Sequence, residues 1–272
     1  MVKIGVLFSL HPSTNIREEF EKIRDLDLQT CQISVWDTAL HTEENAKTIV
    51  EASKETGVEV STLWAGWTGP KAWNFYDGPL TLGLVPVEYR GIRLAELMKA
   101  SDFALKIGVQ NIATHVGFIP EDPNDEDYTG TIAALRSLAR HYKSRDQYFL
   151  FETGQETPTT LIRAIEDIGT GNVGINFDTA NLILYGKANS LDAVEMYGKY
   201  VRDLHCKDGL FPTNGRDLGK EVALGQGKAN IEAVIRHLYS IGYNGPLTIE
   251  REISGDEQIR DIIAARDLLR SI

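Results

Sequence analysis

The sequence predicts a single-domain (β/α)8 TIM barrel of the α/β class, spanning residues 1–272. Three observations carry this. Short apolar, strand-like runs alternate with helix-like segments along the whole chain, the pattern of a parallel sheet with covering helices. Each type occurs eight times, and 272 residues suit one closed barrel better than an open doubly wound sheet. No Gly-x-Gly-x-x-Gly follows the first strand, so the main signal of a dinucleotide-binding sheet is missing.

The strand-like segments, in order, are Lys3–Ser9, Cys31–Trp36, Glu59–Trp64, Asn111–His115, Tyr148–Glu152, Gly174–Asp178, Asp203–Lys207 and Leu247–Glu250. Each is a short apolar run bounded by turn or polar residues. The helix-like segments fall between them. Asn15–Leu26 repeats Ile16, Phe20 and Ile23 at helical spacing, and Thr42–Thr56 opens on an N-capping threonine followed by two glutamates. Glu88–Ile107 carries a wide apolar face of Ile92, Leu94, Leu97, Phe103 and Leu105. Thr129–Tyr142, Thr159–Ile168, Ser190–Tyr197, Ile231–Ile241 and Asp256–Leu269 complete the set. Gly57, Gly108, Gly169 and Gly242 stand where left-handed C-caps end helices. One connection is long: Gly66 to Val87, with Trp67, Trp73, Phe75 and Tyr76. A loop of this length is functional or disordered, and its aromatics predict order.

The net charge of −11 opposes nonspecific attraction to nucleic acid and to anionic membranes. Cys31 and Cys206 read as small buried residues in strands, with no disulfide framework. The N-terminal apolar run is too short for a secretion signal, and no stretch approaches the roughly 20 apolar residues that span a bilayer. A cytoplasmic protein is expected, with a small-molecule substrate and neither nucleic-acid nor membrane partners.

Four strand-like runs end on Glu152, Asp178, His205 and Glu250. Residues at the same end of neighbouring parallel strands point into one cavity. Three carboxylates and an imidazole gathered there repel and desolvate one another unless a divalent cation neutralises them. Their oxygen and nitrogen donors suit Mn2+, Mg2+, Co2+ or Zn2+. Taken singly, Asp178 also reads as an N-cap and His205 as a core histidine; the argument lies in the constellation.

Other polar residues share this face. His115 ends the fourth strand and reads equally as a substrate residue or a structural histidine. Glu156 reads as a partner for substrate hydroxyls or as a helix N-terminal carboxylate. Lys207 can neutralise an oxyanion and Asp208 can orient His205, or both form a solvated loop pair. Trp36, Trp64 and Trp67 are candidates for an apolar wall against a sugar ring, with core packing the safer reading for Trp36.

The segments Phe-Glu152-Thr, Asn-Phe-Asp178-Thr-Ala-Asn, Asp-Leu-His205-Cys-Lys-Asp, Leu-Gly225-Gln-Gly227 and Thr-Ile-Glu250 resemble the xylose-isomerase-like barrel superfamily, in its sugar phosphate isomerase/epimerase branch. That branch includes the ketose 3-epimerases. The resemblance spans essentially the whole chain. It implies one divalent metal, most often Mn2+, held by Glu152, Asp178, His205 and Glu250. It implies Glu152 and Glu250 as an acid/base pair acting through a cis-enediolate, and a homo-dimer or homo-tetramer. His115, Glu156, Asn181, Lys207, Trp64 and Trp67 are then expected around the substrate.

The chain departs from ketose 3-epimerases in three places. Asn181 stands where a histidine usually follows the sixth-strand aspartate. The substrate arginine after the seventh strand has no secure match beyond Arg216 or Lys220. The second glutamate follows Glu152 by four residues, an unusual spacing. An alternative is a metal-dependent lyase or dehydratase on a keto-inositol or 3-keto-glycoside. An endonuclease IV-like repair enzyme is disfavoured by Asn181, by Asp217–Glu221 lacking a histidine, and by the acidic charge. A non-catalytic sugar-binding barrel is disfavoured because all four ligands are present. Gly225-Gln-Gly227 is the only phosphate-loop candidate late in the chain, which leans the reading towards a non-phosphorylated sugar.

Overall fold

The computed structural model describes residues 2–272. Its strands are β1 (Ile4–Ser9), β2 (Thr30–Val35), β3 (Glu59–Ala65), β4 (Asn111–Thr114), β5 (Tyr148–Glu152), β6 (Val173–Asp178), β7 (Val201–Cys206), β8 (Asp208–Leu210), β9 (Lys220–Val222) and β10 (Leu247–Ile249). Its helices are α1 (Ile16–Asp25), α2 (Glu43–Thr56), α3 (Gly78–Thr81), α4 (Val87–Lys106), α5 (Glu126–Lys143), α6 (Pro158–Ile168), α7 (Asn181–Leu184), α8 (Ser190–Tyr197), α9 (Ile231–Ser240) and α10 (Asp256–Ser271). Eight strands close a parallel barrel in the order β1, β10, β7, β6, β5, β4, β3, β2. These are the eight strands read from the sequence, with ends moved by one or two residues. The β8–β9 pair is an antiparallel hairpin beyond β7 that the sequence reading did not find.

Local chemistry explains the boundaries. Asn15, Thr42, Thr157 and Asn189 each accept a backbone N–H with the side chain as N-caps of α1, α2, α6 and α8. Asp125 does the same for α5, which therefore begins at Glu126, three residues before the expected Thr129. Gly57 (φ 75°) and Gly169 (φ 64°) end α2 and α6 in the left-handed region. Gly57 has open space where a Cβ would stand, so its conformation alone selects glycine.

The main core lies between the barrel and its helices, built from residues such as Phe20, Ile49, Phe103, Leu135, Phe177 and Leu238. The barrel interior is partly polar. Near its base, buried Asp203 accepts hydrogen bonds from Ser61, Thr62 and Thr248. Above it, Gln32 donates to Asn176. These groups hydrogen-bond one another, which makes their burial tolerable. Cys31 and Cys206 are free and buried, as the sequence implied. Among the described residues, no helix is long and apolar enough to cross a membrane.

The 66–87 connection is ordered around Arg93 of α4. This fully buried guanidinium donates to the carbonyls of Thr68 (3.0 Å), Pro70 (3.0 Å), Thr81 (2.7 Å) and Gly83 (2.7 Å). It also stacks on Trp67, with Cζ 3.9 Å from the ring centroid. One side chain thus fixes four points of a loop that passes over the C-terminal mouth of the barrel.

Candidate active site

Strand register brings the four strand-end residues together. Asp178 and His205 are paired residues on β6 and β7, Glu152 pairs with Asn176, and the N–H of Glu250 donates to the carbonyl of Cys206. One ligand atom from each of Glu152, Asp178, His205 and Glu250 lies within 4.8 Å of the other three.

Three of the side chains have one atom tied to the framework and another directed into the cluster, while Glu250 Oε2 accepts from Lys207 Nζ at 3.3 Å. Glu152 Oε2 accepts from Trp64 Nε1 at 2.7 Å and Asn176 Nδ2 at 2.6 Å, while its Oε1 faces His205 Nδ1 at 3.1 Å. Asp178 Oδ1 accepts from the N–H groups of Ala180 and Asn181, so the capping reading of Asp178 holds for that oxygen. Its Oδ2 is buried with no hydrogen-bond partner. His205 Nε2 lies 2.9 Å from Gln32 Oε1, which places a proton on Nε2 and directs Nδ1 at the carboxylates. Nδ1 is 3.0 Å from Glu250 Oε2, yet it makes no aligned hydrogen bond and points between the carboxylates.

Buried, unpartnered polar atoms that converge on one point are costly without a ligand there. Three carboxylate oxygens and one imidazole nitrogen fit a divalent cation.

Electrostatics support this arrangement. Burial pushes the Glu250 carboxyl up to about 7, although Lys207 and His205 pull it down. Burial also opposes the charges of Glu152 and Asp178. His205 outweighs it for Glu152, and Lys207 with His205 outweighs it for Asp178, so both carboxyls lie below their ordinary range. The carboxylates overcome burial at His205 and hold its proton; cation binding must release that proton. Lys207 is 1% exposed and lies 3.3 Å from Glu250, 3.5 Å from Asp178 and 2.9 Å from Glu252.

A cavity of about 1250 Å3 opens above the cluster and extends into a groove between α1 and α10. Trp36, Trp64, Trp73 and His115 line one stretch of its wall, and Gln155, Asn181 and Tyr185 another. By strand order these stretches adjoin around the barrel mouth, one after β2–β4 and the next after β5–β6. His115 sits between Trp64 and Trp73; burial lowers its pKa, despite Glu152 and Asp178 nearby, and keeps it neutral.

Several sequence expectations need correction. Trp67 is fully buried behind the wall, donating Nε1–H to Thr114 and covering Arg93, whereas Trp36 lines the cavity. The two tryptophans exchange their expected roles because Arg93 pulls the loop after β3 inward. Asp208 does not orient His205. Its carboxylate accepts from the N–H groups of Gly209, Gly225, Gly227 and Ala229. The Gly225-Gln-Gly227 amides are therefore occupied and cradle no phosphate. Arg216 and Lys220 are exposed on the β8–β9 segment and do not line the cavity; the arginine along it is Arg251.

Glu156 is buried and also absent from the cavity wall; Gln155 takes that place. Gln32 and Asn176, which position His205 and Glu152, were also missed. The available signal was a polar residue two positions before Asp178 within an apolar strand, hence on the same face.

Glu156 gives a pH prediction. Burial raises its carboxyl from an ordinary 4.5 to about 8. The folded state keeps a proton that the unfolded chain has lost. This stability is full below about pH 4.5 and is lost as pH rises through about 8. Glu156→Gln removes the dependence, so its Tm relative to the parent rises by about 5 °C between pH 5 and 8.5. Parallel Tm–pH curves for the two proteins would contradict a buried, protonated Glu156.

A family model described as xylose isomerase-like TIM barrel matches residues 20–272. The crystal structure of a xylose isomerase domain protein from Planctomyces limnophilus is 37% identical, with TM-score 0.92 over 99% of this chain and 96% of that one. The fold is also that of 3-keto-D-glucoside 4-epimerase from E. coli, 18% identical, with TM-score 0.75 over 100% of both chains. An uncharacterized protein of Methanocaldococcus jannaschii is 23% identical over 231 residues, 84% of this chain; the match spans 61% of that relative's length. With its closed parallel barrel and its strand-end cluster, the chain belongs to the xylose isomerase-like TIM barrel family.

Proposed function

We propose that this protein is a divalent-metal-dependent sugar isomerase or epimerase acting on a ketose or related keto-sugar. The observation that carries this is the convergence of one potential ligand atom from each of Glu152, Asp178, His205 and Glu250 beneath an open cavity, with Asp178 Oδ2 and His205 Nδ1 buried and without a hydrogen-bond partner. A bound divalent cation supplies Lewis-acid charge, which acidifies a C–H beside a carbonyl and lowers the energy of the resulting enediolate. Mn2+ is the first candidate; Mg2+, Co2+ and Zn2+ suit the same donors.

The protein's own residues do the rest. Glu250 removes or returns the proton on one face of the substrate carbon. Glu152, fixed through Oε2 by Trp64 and Asn176, serves the other face with Oε1. Lys207 stabilises the anionic forms of Glu250 and Asp178. Asn181 and neutral His115 orient hydroxyls, and Trp64 presents a flat apolar face to the ring. Homo-oligomers, dimers or tetramers, belong to the same proposal.

Proton NMR in D2O on the Mg2+- or Zn2+-loaded protein tests the proposal across a panel of ketoses and 3-keto-glycosides. Loss of one carbon-bound proton signal with a returned epimer or isomer is expected. Exchange followed by release of a fragment would instead establish the lyase, which shares the proton-removal step. No exchange across the panel with metal bound would refute the isomerase reading.

A further inference from the structure

We infer that the site takes a neutral two-ring glycoside rather than a free or phosphorylated monosaccharide, with Trp73 and Gln155 forming a subsite for the second ring. This rests on the keto-sugar reading above.

The tryptophans form a ladder from the ligand cluster to the rim. Trp64 donates Nε1–H to Glu152 at the bottom. Trp36 packs on Trp64 with ring centroids 4.7 Å apart, and Trp73 stands edge-on to Trp36 at 6.1 Å. Trp73 is 41% exposed and lines the cavity, so its ring is available to stack on a bound sugar. One sugar ring over the cluster uses Trp64 and leaves Trp73 free. Further round the mouth, Gln155 is 1% exposed and lines the cavity, and neither atom of its carboxamide makes a well-aligned hydrogen bond, although the Tyr185 hydroxyl lies beside it. A buried amide with both ends unpaired is costly, and ring hydroxyls, each a donor and an acceptor, satisfy both ends. Tyr185 carries this wall outward through edge contacts with Phe75 and Phe118.

The charges select against an anionic substrate. Of the cations along the cavity, Lys22 pairs with Glu19, and Arg251 pairs with Glu221 and Asp261. Lys71 lies over the Trp36 ring, 4.9 Å from its centroid. The Gly225 and Gly227 amides, the natural anion site, are held by Asp208.

The test is binding, read by tryptophan fluorescence with Mg2+ present, so it needs no turnover. D-fructose is compared with three ketose disaccharides (lactulose, maltulose and palatinose) and with D-fructose 6-phosphate. At least one disaccharide is expected to bind about tenfold or more tightly than fructose. Trp73→Ala and Gln155→Leu should each reduce that ratio about tenfold. If no disaccharide outbinds fructose, or if the preference survives both substitutions, the subsite is refuted. If the phosphate binds most tightly, the neutral class is refuted. Because binding is read apart from exchange, a disaccharide preference without exchange in D2O would remove the isomerase reading alone. Exchange on free fructose without a disaccharide preference would remove the subsite alone.

Discussion

Glu250→Gln leaves the barrel folded and lowers proton exchange about a thousandfold, the middle of the range expected when a general base is lost. Glu250 follows a strand of only three residues, β10, and its carboxylate lies 3.0 Å from His205 Nδ1 and 3.3 Å from Lys207 Nζ. Its carboxylate can accept and return a proton, which an amide cannot do. Folding should survive, because Lys207 keeps Asp178 and Glu252 as counter-charges and a neutral side chain relieves crowding among the acids. The same substitution also weakens metal binding, so two measurements separate the roles. Metal affinity is titrated directly, and exchange is measured at saturating metal. A rate that returns to that of the parent protein at saturation makes Glu250 a ligand only and ends its acid/base assignment.

How much of this site was legible in the sequence follows from what periodicity encodes. A strand's end and its inward face are local properties, so Glu152, Asp178, His205 and Glu250 could be read from four short apolar runs. The positioning partners were half-legible. Asn176 shares the inward face of β6 with Asp178, but its contact with Glu152 depends on the register of the neighbouring strand and its contact with Gln32 crosses the barrel and depends on closure. The loops were the least legible. Whether Trp36 or Trp67 faces the cavity is decided by a guanidinium on α4, 26 residues along the chain from Trp67. Asp208 was misassigned because proximity in sequence to His205 suggested contact. Instead, its carboxylate collects amides from residues 225–229, a long-range pairing that no local pattern records.

Arg93→Ala destabilises the protein by about 3 kcal/mol or more, since it strips donors from four carbonyls and opens a void beneath Trp67. For a chain of this size that is a Tm loss of roughly 6–12 °C. Burial lowers the guanidinium pKa to about 10, against Tyr89 and Glu96, so the charge persists at neutral pH and its bonds are charge-assisted. Arg93→Lys recovers little. One ammonium cannot reach Thr68, Pro70, Thr81 and Gly83 together, a spread that suits the planar fork of arginine. The loop that Arg93 gathers also carries Trp73, so its release couples stability to the cavity wall. Calorimetry should show the Tm loss, and limited proteolysis should show new cleavage within residues 66–87. The KM for sugar should rise more than kcat falls, because the ligand cluster rests on strand ends that Arg93 does not touch. A Tm within about 2 °C of the parent would mean that water or neighbouring amides satisfy those four carbonyls, and the loop's order would need another cause.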